Sequence, residues 1–289
     1  AAFHTPSFNA VVPSIVPRDQ LARCAGITQS FESVSLILSP ALAAVLFTVW
    51  DLSAIIFLDV IGAAIAILIV FFLPIPRSEA GADTPTLHIW RDMKEGVAVL
   101  RSEKGLMSIM IISTLYAFIY FPIGSLYPLI TMTYFGGSVA DSSMVEIAFS
   151  SGTLLGALLL GFLGEKVPKV RAIAASIGIY GVGAMLSGLL PPHGLRLFAV
   201  LSGIMGLTIP FYYGLRTAIL QSRVPDRYLG RVLSLSYSVT LLAAPLGLIM
   251  GGTVSELAGV NHCFFICGVL AICLSAAMLV LPSIRNSGA

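Results

Sequence analysis

Five ionisable side chains stand inside long apolar runs, at His4, Glu32, Asp59, Glu146 and Arg216. A charge at the centre of a bilayer costs roughly 2.5 to 3.5 kcal/mol on insertion scales, so each is a candidate for function. Glu32 is the foremost. It follows Leu21, at the end of a polar turn, by eleven residues. On a helix rising about 1.5 Å per residue that is about 16 Å, close to the midplane of a membrane. A carboxyl there can take up and release protons or pair with a cationic substrate; in its protonated form it can equally be a plain interhelical hydrogen-bond donor. Asp59 and Glu146 lie a few residues inside the outer ends of their segments, where water or a helix N-terminus can satisfy them, and Glu146 is expected in a first helical turn. Arg216 sits near the inner end of its segment, from which a long side chain can snorkel to the interface or touch a gate. His4 either faces a cavity or packs as a hydrogen-bonded residue.

Aromatic hydroxyls form the second set. Tyr116, Tyr120 and Tyr127 share one apolar run with Phe118 and Phe121, and Phe211, Tyr212 and Tyr213 share another. Tyr116 and Tyr120 are spaced by four, as are Tyr212 and Arg216, so each pair lies on one helix face. Such walls suit bulky, amphipathic, partly cationic compounds through stacking and cation–π attraction. The same residues also serve at membrane interfaces against lipid headgroups. Enzymatic readings fare poorly: His4, His88, His193 and His262 are scattered, and neither a Ser-His-acid set, a metal-ligand spacing nor a phosphate-cradling glycine loop is present. No cofactor, metal or nucleic acid is expected.

The elements that must hold these groups follow from composition. With 57% hydrophobic and 10% charged residues, the chain lies outside the range of water-soluble domains. Helices of about 20 apolar residues span a bilayer, and that length fits eight segments, 27–49, 53–73, 106–131, 143–163, 172–190, 197–220, 232–255 and 262–282. The runs are continuous rather than alternating, which predicts helices and not a barrel. The expected fold is all-α, a polytopic membrane bundle. Fifteen of the sixteen Lys and Arg fall on one side of this arrangement, with only Arg196 on the other, which places the C-terminus in the cytoplasm. The four cysteines, mostly in apolar runs, read as small core residues.

Residues 76–104 form the longest polar interval and divide the chain into 1–75 and 105–289. Within it Leu87, Trp90, Met93, Val97 and Leu100 recur at helical spacing opposite Arg91, Lys94, Arg101 and Lys104, the pattern of an amphipathic helix on a membrane surface.

The octapeptide VPRDQLAR at 16–23 returns as VPDRYLGR at 224–231, and each copy is followed by a span with Pro among small residues, SPALAA at 39–44 and APLGLIMGG at 244–252. Two halves of like orientation are one architecture of secondary transporters. The turn GFLGEKVPKVR at 161–171 is similar to the loop signature of the major facilitator superfamily, with Gly161 at its glycine, Glu165 at its acidic position and Lys166, Lys169 and Arg171 at its basic ones. RDMKEGVAVLRSEKGL before a span, and FLDVIGA at 57–63, resemble bacterial exporters of the macrolide-efflux type.

The resemblance implies a monomeric secondary transporter in a bacterial inner membrane, a proton-coupled exporter of hydrophobic or amphipathic compounds such as macrolide-like drugs by alternating access, with lipid, a small-molecule substrate and protons as its partners. It makes 1–75 the remainder of an N-terminal half, 105–289 a six-helix C-terminal half, and Tyr116, Tyr120, Tyr127, Tyr212 and Arg216 cavity-lining candidates. Two other readings stay open: export or flipping of an endogenous metabolite such as a siderophore or lipid, and a membrane protein that does not transport. Pro225 follows the start of its half, near 105, by 120 residues; the same interval before Pro17 predicts a start near position −103, with segments 1–3 and part of 4 upstream of residue 1.

Overall fold

The computed structural model describes residues 11–13, 15–17, 20–21, 23–28, 30–31, 34–35, 38, 50, 52–72, 89–102, 105–163 and 166–280. Among the described residues regular structure is helical throughout, as expected for apolar runs that must satisfy their own backbone. We label the helices α1 (Leu52–Phe72), α2 (Ile89–Ser102), α3 (Leu106–Leu129), α4 (Val139–Leu163), α5 (Lys169–Leu189), α6 (Leu195–Arg223), α7 (Asp226–Ala258) and α8 (Val260–Val280). A π-helical turn, Ile130–Tyr134, extends α3. Helices α3 to α8 are each long and apolar enough to cross a membrane, and α1 adds a 21-residue apolar helix. The expected span 27–49 falls mostly outside the described residues.

Where both are described, the twin octapeptides turn alike. The amide of Gln20 donates to the Pro17 carbonyl at 3.0 Å, and that of Tyr228 to the Pro225 carbonyl at 2.9 Å. Leu21 and Leu229 are both buried behind these turns. Each proline therefore opens a helix, where its missing N–H costs nothing.

Helix α6 packs against α4 and α5, α5 against α8, and α3 against α7 and α8. Because lipid is as apolar as leucine, such contacts depend on close backbone approach more than on hydrophobic burial. Glycine supplies it: a Cβ at Gly152 or Gly156 of α4 would overlap the carbonyls of Gly203 or Leu207 on α6. A Cβ at Gly181 of α5 would stand 2.8 Å from the Gly268 carbonyl of α8. Outward faces carry large apolar side chains such as Ile111, Leu155 and Leu242, suited to lipid. The chain is an integral membrane protein.

Proline inside a helix frees the carbonyl four residues back. In α6, Pro210 frees the Gly206 carbonyl. The Thr153 hydroxyl of α4, 3.2 Å away, donates to it and shares its proton with the Phe149 carbonyl at 3.0 Å.

Helix α2 carries opposed apolar and polar faces, and its apolar side is partly covered: Gly96 and Leu100 are buried, while Met93 is 41% exposed. Gly96 lets α2 lie against Arg231 and Leu235 of α7, and Glu95 forms an ion pair with Arg231. The cysteines are not all core residues: Cys263 and Cys267 are buried, but Cys273, on the outer face of α8, is exposed.

Candidate functional site

Five tyrosines from three helices meet inside the bundle. Tyr116 of α3 lies 4.4 Å from Tyr212 of α6 and 5.8 Å from Tyr180 of α5, centroid to centroid. Tyr120, one turn further along α3, is 6.0 Å from Tyr116, 5.7 Å from Tyr180 and 6.3 Å from Tyr213. Tyr212 and Tyr213 meet edge to face at 4.8 Å. Tilted and edge-on rings at these separations attract through their quadrupoles. Tyr116, Tyr180 and Tyr212 are buried, whereas Tyr120 and Tyr213 are part-exposed and form the accessible side of the cluster. The four-residue spacing puts Tyr116 and Tyr120 on one face of α3. Proline-containing α6 brings Tyr212 opposite, with its hydroxyl donating to the Ser113 carbonyl at 3.4 Å.

Tyr127 belongs to a different group. Two turns beyond Tyr120, its ring packs at 5.5 Å on Phe198 and 5.7 Å on Phe149 and Phe264, and its hydroxyl points at the Met205 sulfur, 3.7 Å away.

Arg216 lies one turn beyond Tyr212 on α6, on the side of α7. It does not snorkel: only 9% exposed, it donates through Nη2 to the Ser236 hydroxyl of α7. Depth along a helix does not say which neighbour holds a hydroxyl ready. Among the described residues no carboxylate pairs with it; the ion pair described is Glu95–Arg231.

Asp59 is exposed on α1 and Glu146 is exposed on α4. Glu146 is not in a first turn, because α4 begins at Val139. The Ser138 amide and hydroxyl each donate to the Asp141 carboxylate at 2.7 Å, and the Asp141 amide returns a bond to the Ser138 hydroxyl at 3.3 Å. This capping box extends the helix into polar sequence. His4, Glu32 and Glu165 lie outside the described residues.

In the loop signature, Gly161 is in the last turn of α4, Lys166 and Arg171 are exposed, and Lys169 opens α5. The described part of the turn is closed by amides of Lys166 and Val167 on the Leu163 carbonyl, at 2.9 and 3.2 Å. Gly26 packs directly on Gly161.

Sequence reasoning missed Tyr180 and Ser236. Tyr180 is the one tyrosine in α5, among Ile, Ala and Gly; its signal is a phenol in mid-span, far from the interfaces where tyrosine is at home.

The Major Facilitator Superfamily model matches residues 1–130 and again 109–288. The chain is 46% identical over 285 residues to Macrolide efflux protein A of Streptococcus pyogenes, covering 99% of this chain and 70% of that protein. Macrolide efflux protein A of Enterococcus faecalis is 48% identical over 247 residues, 86% of this chain and 76% of the relative. The crystal structure of the human organic anion transporter MFSD10 superposes with a TM-score of 0.77 at 17% identity, over 93% of this chain and 66% of that one. That likeness establishes the fold. Helices long and apolar enough to cross a membrane and a family model matched over nearly the whole length converge, and the chain belongs to the Major Facilitator Superfamily.

Proposed function

We propose that the chain is an efflux transporter of hydrophobic and amphipathic compounds, macrolides among them, driven by a proton gradient through alternating access. The observation that carries this reading is the 46% identity, over 99% of this chain, to a macrolide efflux protein. The tyrosine cluster supports it. Tyr120 and Tyr213 offer π faces on the accessible side of the cluster, suited to an apolar body bearing a protonated amine. Tyr116, Tyr212 and Arg216 stand behind them, and Tyr127 belongs to the neighbouring aromatic layer.

In this reading Glu32 carries the coupling proton, with Asp59, Glu146 and His4 as lesser candidates. Residues 1–75 and 105–289 belong to opposite halves that rock about the linker 76–104, as in transporters built from parallel repeats. The protein acts as a monomer in a bacterial inner membrane with its C-terminus in the cytoplasm. The basic turns at Lys166–Arg171 and Arg223–Arg231 set that orientation.

The test is accumulation of radiolabelled erythromycin, a macrolide, in bacteria expressing the chain, both as it stands and extended to the length of the Streptococcus relative. Lower accumulation than in vector controls, abolished by a protonophore, is expected. Equal accumulation in all strains would exclude the macrolide-efflux reading.

A further inference from the structure

Two hydroxyls in the tyrosine cluster have no hydrogen-bond partner among the described residues. They are Tyr116 Oη and Tyr180 Oη, both buried, on rings that meet edge to face at 5.8 Å. Three other tyrosines of the bundle are provided for: Tyr212 donates to the Ser113 carbonyl, Tyr134 to the Leu190 carbonyl at 2.7 Å, and Tyr127 faces the Met205 sulfur. The two unpaired hydroxyls are carried by neighbouring rings from two different helices.

Leaving a buried hydroxyl unpaired destabilises a fold, and such groups in native structures call for an explanation. Packing is not one. Phenylalanine at either position would keep the ring, its volume and its edge-to-face contact while removing the polar atom. What tyrosine adds is a donor, and the two rings that carry these donors both lie beside Tyr120, whose ring is 6.0 Å from Tyr116 and 5.7 Å from Tyr180. Tyr120 is part-exposed, so of these three rings it is the one a compound would meet first.

We infer that Tyr116 and Tyr180 form a two-donor subsite for an acceptor oxygen of the transported compound, a ketone, ester or ether. The inference rests on the efflux reading above and narrows it: the substrate carries an oxygen acceptor beside its apolar body. Aromatic faces tolerate many shapes, whereas a buried donor pair discriminates, because a compound lacking the acceptor leaves both hydroxyls unpaired.

The experiment compares Tyr116→Phe, Tyr180→Phe and the double variant of the full chain in detergent, reading the thermal midpoint and the binding of tritiated erythromycin, which is rich in such oxygens. Each single variant should keep or raise the midpoint and weaken binding about three- to tenfold, the scale of one hydrogen bond. Unchanged affinity in both single variants overturns the inference while leaving the efflux reading intact. A lowered midpoint with unchanged affinity also overturns it, showing that the hydroxyls serve the fold through a bridging water. Failure of the wild-type chain to bind erythromycin overturns the efflux reading and this inference with it.

Discussion

Gly26 lies with its Cα against the backbone of Gly161: a Cβ at position 26 would come within 2.7 Å of the Gly161 nitrogen and 2.9 Å of the Ala157 carbonyl. Beside it, Ala25 would stand 3.4 Å from a Cβ on Gly214 of α6. The segment that follows the first octapeptide is thus seated on α4 and α6 at the end of the bundle bearing the basic turns. Gly161 itself has open space where its own Cβ would be.

The two glycines should therefore respond differently. Gly26→Ala meets backbone atoms that cannot yield and should cost about 1 to 3 kcal/mol, the range of overpacking. Gly161→Ala should be neutral or stabilising by up to about 1 kcal/mol through helix propensity. Thermal unfolding in detergent distinguishes them; equal midpoints would mean that the contact is not tight.

Thr153 and Pro210 should behave as a coupled pair. Thr153→Val leaves the Gly206 carbonyl without its donor and should cost about 0.5 to 1.5 kcal/mol. In a Pro210→Ala background the restored amide can bond that carbonyl, so the same substitution should cost less. A double-mutant cycle of unfolding midpoints measures the difference, and simple additivity would refute the assignment.

The Glu95–Arg231 pair ties α2 to α7, but its side chains are 38% and 37% exposed. Its coupling energy should be small, about 0.2 to 1 kcal/mol, and should shrink as salt rises. Unfolding of the Glu95→Gln, Arg231→Gln and double variants at low and high salt would report it. A large, salt-independent coupling would contradict the exposure.

Glu32→Gln should lower proton-driven efflux more than substrate binding, because it removes a titrating group while keeping the side chain's shape. Flux measured across a range of external pH is the check. Full flux with the wild-type pH profile would remove Glu32 from the coupling mechanism.

Much of this architecture can be read from residues alone, because an apolar run as long as a bilayer is thick has few ways to be built. Helix ends were less legible. Helix α4 starts at Val139, before the expected 143, because Ser138 and Asp141 cap it in polar sequence. Helix α7 starts at Asp226, before the expected 232, because Pro225 opens it directly after α6. The site was half legible. Spacing by four exposes Tyr116 with Tyr120, but nothing local in α5 says that Tyr180 turns toward them. Nor does sequence depth reveal that Ser236 holds Arg216 inside. Both depend on which helices become neighbours, which no local spacing states.

The central claim, proton-driven export of a macrolide, is tested most directly by erythromycin uptake into inverted membrane vesicles under an imposed pH gradient, acid inside. Uphill accumulation is expected, collapsing when the gradient is dissipated and diminished by Tyr116→Phe and Tyr180→Phe. Uptake no greater than in vesicles lacking the protein, or uptake indifferent to the gradient, would contradict it.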